Sequence, residues 1–297
     1  MFGAFFFVNR FAPKLEAPRA DFGAMALGGA SGGARGFDYG TRAMVPLTTN
    51  WPYLLRAARR FERVFVQSQH AHARLVFTGE MPVLAGTGAG GTEDGEDGLR
   101  FDVSFWDSAW ATVHRCDCCA SPGRVSFHNA MGIEFMQMCA SPDCSVERWS
   151  DFVAAAARSA SEDRSERRTP LPLVPFVPES ARRLSATAEL LVPLCNALAS
   201  ERVAVRVTVR TAEVAHTRQI VPHVRSVRQG LLSLADGPVA SQLALRSVRA
   251  LRVEDRPSGP RLLIEGEDGM LLFTIAGASD PVGAVVWRVA LQEVCDV

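Results

Sequence analysis

Five cysteines in the middle of the chain have residue types and spacing that suit metal binding. They are Cys116, Cys118, Cys119, Cys139 and Cys144. The first three follow one predicted strand, and the other two follow a strand two positions later in an antiparallel meander, so both groups fall at one end of the sheet. With His114 nearby they could hold zinc through four thiolates, or through three thiolates and an imidazole. Because Cys-x-Cys-Cys followed by a pair of cysteines with four residues between them is not a usual zinc motif, free thiols are the favoured alternative.

Two histidines form a second candidate ligand pair. His70 and His72 alternate on a predicted strand, which places both side chains on one face. A metal site needs further ligands, and the neighbouring sequence offers none. Solvated side chains are therefore the favoured interpretation of this pair.

The sequence gives no support for nucleophilic catalysis or for phosphate binding. No serine or cysteine has a matched histidine and acid. The stretch 85–98 is rich in glycine and acidic residues but lacks the GK[ST] of a phosphate loop. It is predicted to be an exposed loop between two strands.

Composition excludes several classes of protein. Lys+Arg and Asp+Glu are both 32, so no overall positive field attracts nucleic acid. No apolar run reaches the roughly 18–20 residues that span a bilayer, so membrane insertion is not expected. The apolar run Phe2–Val8 is short and lacks the basic start of a secretory signal. With seven cysteines, an odd number, a reducing cytoplasm is the expected location.

Two breaks divide the chain. Residues 1–40 are rich in glycine with few apolar anchors, and they are predicted to form a flexible N-terminal arm. Residues 159–179 begin with a charged run and continue with four prolines, which favour an extended linker. The predicted domains are therefore 41–158 and 180–297.

The two predicted domains repeat one order of elements. In each, a strand is followed by a hairpin, a glycine-bearing turn, another strand and a helix that carries a tryptophan, Trp149 or Trp287. Each sheet must cover its apolar face with helices. The predicted helices are Trp51–Arg60, Ser145–Arg158, Ser180–Leu198 and Val282–Val294. The fold class is thus α+β, a tandem repeat of two antiparallel-sheet domains covered by helices.

The repeated segments resemble the HemS/ChuX family of haem-handling proteins, also known as hemin-degrading factors. Residues 99–111 are similar to the family's "DLR…W…FA" strand signature, with Arg100 six residues before Trp106. Residues 127–132 resemble the "FDxxG" hairpin turn, with His128 in place of the aspartate. Gly277 and the later Trp287-Arg288 resemble the closing "FG…WR". The resemblance covers about residues 40 to 296 in the family's order.

The resemblance implies a fold and a role. The fold would consist of two stacked sheet domains with a haem cleft between the halves. Members of the family bind imported haem and its iron in a bacterial cytoplasm, and they pass it to a receiving protein or help to break its ring. The expected ligand is haem or another planar molecule.

The resemblance also implies site residues. Arg100 is retained and could bind a haem propionate as a charge-assisted donor, or it could be an ordinary surface arginine of a strand. Glu189 stands at the position of the family's axial histidine, and Ser279 stands where an arginine is expected. His216 and His223 fall in the strand pair that borders the cleft, so either could replace the missing ligand. The alternative for both histidines is a polar surface or a sheet edge.

Two functional hypotheses follow. The first is a cytoplasmic protein that binds haem for delivery or degradation, supported by the ordered motifs and Arg100. The second is a member that kept the fold, lost haem and acts as a binding or regulatory module. Glu189 and Ser279 support the second hypothesis, since a carboxylate is a weaker ligand than imidazole for haem iron.

Overall fold

A computed structural model describes residues 44–81, 98–114, 120–157, 171, 175–185, 187–277 and 280–295. The predicted N-terminal arm, most of the acidic glycine-rich stretch and most of the predicted linker lie outside these residues. Among the described residues, no helix is both long and apolar enough to cross a bilayer.

The first half of the chain forms seven strands and two helices. They are β1 (Met44–Pro46), α1 (Trp51–Ala58), β2 (Val64–His70), β3 (Ala73–Gly79), β4 (Gly98–Phe101), β5 (Trp106–Thr112), β6 (Arg124–Asn129), β7 (Glu134–Ala140) and α2 (Val146–Ala156). Side chains cap both helices, because Asn50 accepts a hydrogen bond from the backbone of Tyr53 and Ser145 accepts one from Arg148.

The second half forms nine strands and two helices. They are β8 (Arg182–Arg183), α3 (Leu191–Ser200), β9 (Val205–Arg210), β10 (Val214–Ile220), β11 (His223–Arg228), β12 (Leu231–Asp236), β13 (Val239–Ala244), β14 (Ala250–Glu254), β15 (Arg261–Glu265), β16 (Leu271–Gly277) and α4 (Pro281–Cys295). Helix α3 begins later than the predicted Ser180, because Arg182 and Arg183 pair with the edge of a sheet instead.

The strands form two antiparallel sheets, and six strands follow the same order in both. The nine-stranded N-sheet runs β1-β5-β6-β7-β2-β3-β13-β12-β11, and the seven-stranded C-sheet runs β8-β14-β15-β16-β9-β10-β4. Strands β8-β14-β15-β16-β9-β10 repeat the order of β1-β5-β6-β7-β2-β3. The predicted tandem repeat of antiparallel-sheet domains is confirmed.

Each sheet takes strands from the other half of the chain: the C-sheet takes β4, and the N-sheet takes β11, β12 and β13. Strand β4 pairs with β10 at the edge of the C-sheet, and β13 pairs with β3 in the N-sheet. The exchanged strands occupy the same place in the repeat, because β4 lies between β3 and β5 along the chain and β11–β13 lie between the equivalent strands β10 and β14. The predicted domain boundaries therefore separate strands that pair in space, and those boundaries stay a prediction.

The repeat extends to turns and core packing. Gly132 and Gly269 adopt φ angles of 72° and 77° at corresponding hairpin turns, which is the left-handed region that favours glycine. Trp149 and Trp287 are buried, and their indole nitrogens donate to backbone carbonyls of Thr112 and Pro260 at 2.9 and 2.8 Å. Each sheet thus buries its apolar face under helices, α1 and α2 on one and α3 and α4 on the other.

Candidate functional site

The C-sheet has one face in the core and one open face. Along β9, Val205, Val207 and Val209 are fully buried, whereas Arg206 and Arg210 alternate with them on the other side. The open face lines a cleft of about 520 Å³, which is within the roughly 300–1,000 Å³ of small-molecule sites. We call this cleft the arginine cleft.

Small side chains form the floor of the arginine cleft. They are Thr208, Ala215, Thr217, Thr274 and Ala276, from β9, β10 and β16. The hydroxyl groups of Thr208 and Thr217 lie 2.9 Å apart and hydrogen-bond each other across the strands. Because no long side chain rises from these positions, the floor offers a flat surface to a planar ligand.

Two arginines flank the floor at one end. Arg100 pairs with Ala215, and Ala215 pairs with Arg210, so the three residues form one row across β4, β10 and β9. The Cα atoms of the two arginines are therefore about 10 Å apart, twice the spacing of neighbouring strands. Arg100 comes from the first half of the chain, so both halves contribute to this end.

A second row of arginines closes the other end. Arg206 pairs with Ala276, and Ala276 pairs with Arg261, which repeats the arrangement of an alanine between two arginines. Arg206 donates from Nε to the carbonyl of Gly277 at 3.1 Å. The neighbouring Arg256 also lines this end.

Glu254 carries the negative charge at the second end. Its carboxylate accepts from Arg261 at 2.6 Å and pairs with Arg256 at 2.9 Å. Burial alone would raise the pKa of the Glu254 carboxyl, but the hydrogen bonds and charges of the two arginines outweigh it and hold the pKa below its usual value. The carboxylate is therefore ionised and fixes the two guanidinium groups in place.

An aromatic side chain stands at the lip of the arginine cleft. The backbone of residues 175–177 pairs with residues 269–271, through Leu271 N to Pro175 O at 2.8 Å and Val177 N to Gly269 O at 2.9 Å. This pairing presents Phe176 to the cleft with 62% of its surface exposed. A ring held in this way can stack on a flat ligand that lies on the floor.

The chemistry of the arginine cleft suits a planar anion. Five arginines and a single glutamate line it among the described residues. Guanidinium groups donate in the planar fork that matches carboxylates, and the floor and Phe176 supply apolar surface. A flat body with carboxylate arms satisfies both parts of the lining.

Solved structures match this chain, whereas no protein-family model and no curated sequence does. Holo-PhuS, a haem-binding protein from Pseudomonas aeruginosa, superposes with a TM-score of 0.69 at 14% identity, over 86% of this chain and 87% of its own. ChuS, an E. coli haem oxygenase, superposes with a TM-score of 0.69 at 12% identity, over 84% and 88%. The chain has the HemS fold. The resemblance drawn from the sequence motifs is confirmed for the fold.

Within the HemS fold, the four residues predicted to bind haem lie in different places. Arg100 lines the arginine cleft. Glu189 is exposed on the short 3-10 turn that precedes α3, and it does not line the cleft. His223 is exposed at the start of β11, in the N-sheet.

His216 lies on the opposite face of β10 from the arginine cleft. It is fully buried between the two sheets, where its Nδ1 lies 3.1 Å from the hydroxyl of Ser68 on β2. Burial, and to a lesser extent the charge of Arg218, lowers the pKa of His216 well below its ordinary value. The imidazole is therefore neutral at physiological pH.

The predicted zinc site is not supported. The described residues hold no group of three or more His, Cys, Asp or Glu side chains placed for a metal. Cys139 is buried in an apolar cluster with Phe65 and Val76, whereas Cys144 packs against the separate core under α1 and α2. These two cysteines therefore belong to different clusters. The other three candidates, Cys116, Cys118 and Cys119, lie outside the described residues.

His70 and His72 form a structural contact between the two halves. The backbone N–H of His72 donates to Nδ1 of His70 at 3.2 Å, so Nε2 of His70 carries the proton and donates to Leu272 O at 2.8 Å. Nδ1 of His72 lies 3.0 Å from the hydroxyl of Ser247. Both imidazoles are thus hydrogen-bonded to the second half.

Sequence reasoning missed most of the arginine cleft. Arg206 and Arg210 carried a readable signal, since the run Val-Arg-Val-Thr-Val-Arg alternates with the period of a strand that has one buried face. The place of Arg256 and Arg261 carried none, because it depends on which strands become neighbours.

Proposed function

We propose that this protein binds haem in the arginine cleft, in the cytoplasm, and carries it toward a receiving protein or a degrading reaction. The observation that carries the proposal is the flat floor of small residues with arginines at its ends, one of which is Arg100. Haem is a flat apolar ring with two propionates, so it matches both the floor and the guanidinium groups. PhuS and ChuS, which share the fold, are haem proteins.

Haem transport is the role that the residues of the arginine cleft support best. The described part of the lining supplies groups that hold carboxylates and a ring face. Ring cleavage needs control of the iron, for which proteins use an axial ligand. Glu189, at the family's ligand position, lies outside the cleft, which favours delivery over degradation.

A hemin titration followed by absorbance tests the proposal. The wild type is expected to saturate near one equivalent with a distinct Soret band. The double variant Arg100→Gln/Arg210→Gln is expected to bind about tenfold more weakly or worse, since it loses two charge-assisted hydrogen bonds. Arg228→Gln is the matched control, because Arg228 is exposed on β11 of the other sheet. Equal affinity in wild type and double variant would mean that Arg100 and Arg210 do not hold the propionates.

The second candidate function is a binding or regulatory module that has lost haem. The position of Glu189 favours it, since the residue that replaces the family's axial ligand is exposed and does not line the cleft. A Glu189→His variant included in the titration separates the two. A Soret band in Glu189→His and none in the wild type would support the module.

A further inference from the structure

The arginine cleft contains no usual ligand for haem iron among its described residues. Proteins hold haem iron through histidine, cysteine, methionine or tyrosine. All six histidines of the chain belong to the described residues, and none of them lines the cleft. Cysteine, methionine and tyrosine are likewise missing from its described lining.

Glu254 is the single carboxylate in that lining, and it is already engaged. Its oxygens are 2.6 Å from Arg261 and 2.9 Å from Arg256. Turning the carboxylate toward a metal would break these charge-assisted bonds, which is unfavourable in a partly buried group. The cleft therefore holds a ligand through its other groups.

Positive charge lies at both ends of the floor. Arg100 and Arg210 form the first end. The second end has three arginines, Arg206, Arg256 and Arg261, and one glutamate, Glu254. Its side chains are therefore net positive, as those of the first end are. Arg206 and Arg210 are four residues apart on β9, which separates the two ends by about 13 Å.

The separation of the two ends bears on ligand choice, because both propionates of haem are attached on one side of its ring. A ligand with carboxylates on a single side uses one end of the cleft. A flat ligand with carboxylates on opposite sides uses both ends at once.

We propose that the arginine cleft recognises planar tetrapyrroles by carboxylates at opposite ends of the ring, independently of any metal at the ring centre. The ligand class is porphyrins with carboxylate arms on both sides, with or without iron. This inference rests on the proposed function, since it names the ligand chemistry of the same cleft. The floor then serves the ring face, and the arginines serve the arms.

Equilibrium titrations with three probes test the inference. Hemin and metal-free protoporphyrin IX have the same ring and the same two propionates, so their dissociation constants are expected to agree within about threefold. Coproporphyrin III, which has four propionates around the ring, is expected to bind at least about tenfold more tightly than protoporphyrin IX. Intrinsic tryptophan fluorescence and porphyrin absorbance give independent readouts.

An Arg206→Gln variant supplies the matched test of the second end. It is expected to weaken the binding of coproporphyrin III by a larger factor than the binding of hemin, because hemin needs only one end of the cleft. Equal losses for the two probes would overturn the use of both ends. Arg228→Gln on the other sheet is the control and is expected to bind all three probes as the wild type does.

The outcomes separate this inference from the proposed function. Hemin that binds at least about tenfold more tightly than protoporphyrin IX would show that a metal ligand is used, which overturns the inference and leaves haem binding standing. Coproporphyrin III no tighter than protoporphyrin IX would overturn it as well. Binding of none of the three probes would overturn both.

Discussion

Arg100 and Arg210 lie in one row of the C-sheet, on opposite sides of Ala215, although they come from different halves of the chain. A ligand that bridges them also bridges the junction at which β4 crosses into the C-sheet. Ligand binding and the association of the two halves are therefore coupled, since a ligand that binds only the native state raises its stability.

Filling the floor is expected to block binding. Ala215 is half-buried and lines the arginine cleft between Arg100 and Arg210, so Ala215→Leu places a branched side chain where the ring would lie. Hemin affinity is expected to fall at least about tenfold, while urea unfolding changes little because the new side chain faces the open cleft. Ala215→Ser, which keeps the floor low, is the control. Unchanged hemin affinity in Ala215→Leu would rule out the floor as the seat of the ring.

The aromatic lip is expected to contribute a smaller share. Phe176→Ala removes a ring that can stack on the ligand, and stacking of this kind is worth about 0.5–1.5 kcal/mol, or roughly two- to tenfold in affinity. Leu171→Ala is the matched control, because Leu171 is an exposed apolar side chain outside the cleft lining. Equal losses in the two variants would argue against stacking.

The repeat could be predicted from the sequence because the signals that define it are local. The turns at Gly132 and Gly269 and the helices of Trp149 and Trp287 follow from glycine positions and hydrophobic periods that lie within a few residues. The order of these signals, compared with the family motifs, was enough to predict the fold.

The exchange of β4 and of β11–β13 between the sheets could not be predicted from the sequence. Residues 98–101 have the same alternation whichever edge they join, and the choice depends on contacts far away in sequence. The cleft depends on that choice, since Arg100 meets Arg210 only through the pairing of β4 with β10. The position of Glu189 relative to the cleft also depends on contacts distant in sequence, so motif alignment alone did not reveal it.

The exchanged strands predict that the halves do not fold alone. A fragment of residues 180–297 lacks β4, whose buried Leu99 completes the edge of the C-sheet, and β3, on which β13 pairs. The fragment is expected to lack a cooperative unfolding transition in circular dichroism, whereas residues 41–297 are expected to show one. A fragment that unfolds cooperatively as a monomer would instead support independent domains at the predicted boundaries.

A buried polar pair is expected to stabilise the junction. The side-chain amide of Asn129, at the end of β6, donates to the carboxylate of Glu213 at 2.8 Å, and both residues are buried. Asn129→Ala leaves that carboxylate without this donor, so the free energy of unfolding is expected to fall by about 2–3 kcal/mol. Part of this loss reflects the turn, because Oδ1 of Asn129 also accepts from Met131 and Ile133.

A double-mutant cycle with Glu213→Ala isolates the pair. The coupling free energy between Asn129 and Glu213 is expected to be about 1 kcal/mol or more, as for a buried hydrogen bond. Additive losses in the double variant would mean that the turn, and not the contact between the halves, accounts for the role of Asn129.

His216 is expected to make the protein less stable in acid. Its burial between the sheets keeps its pKa well below the ordinary value. Below about pH 6.5 the unfolded chain therefore binds a proton that the native state does not bind. The contribution of His216 is therefore complete above that pH and is lost as the pH falls, by up to about 1.4 kcal/mol per pH unit. His70 and His128 also have lowered pKa values, mainly through burial, and act in the same direction.

Urea unfolding of His216→Leu at about pH 7.5 and about pH 5.5 isolates this contribution, because the other histidines remain in both proteins. The variant loses the contact with Ser68 at both pH values, but it escapes the proton uptake of the unfolded state. Its deficit relative to the wild type is thus expected to be smaller at the lower pH, by about 1 kcal/mol. His223→Gln, at an exposed position, is expected to track the wild type. A deficit in His216→Leu that is constant with pH would mean that His216 is protonated in the folded protein.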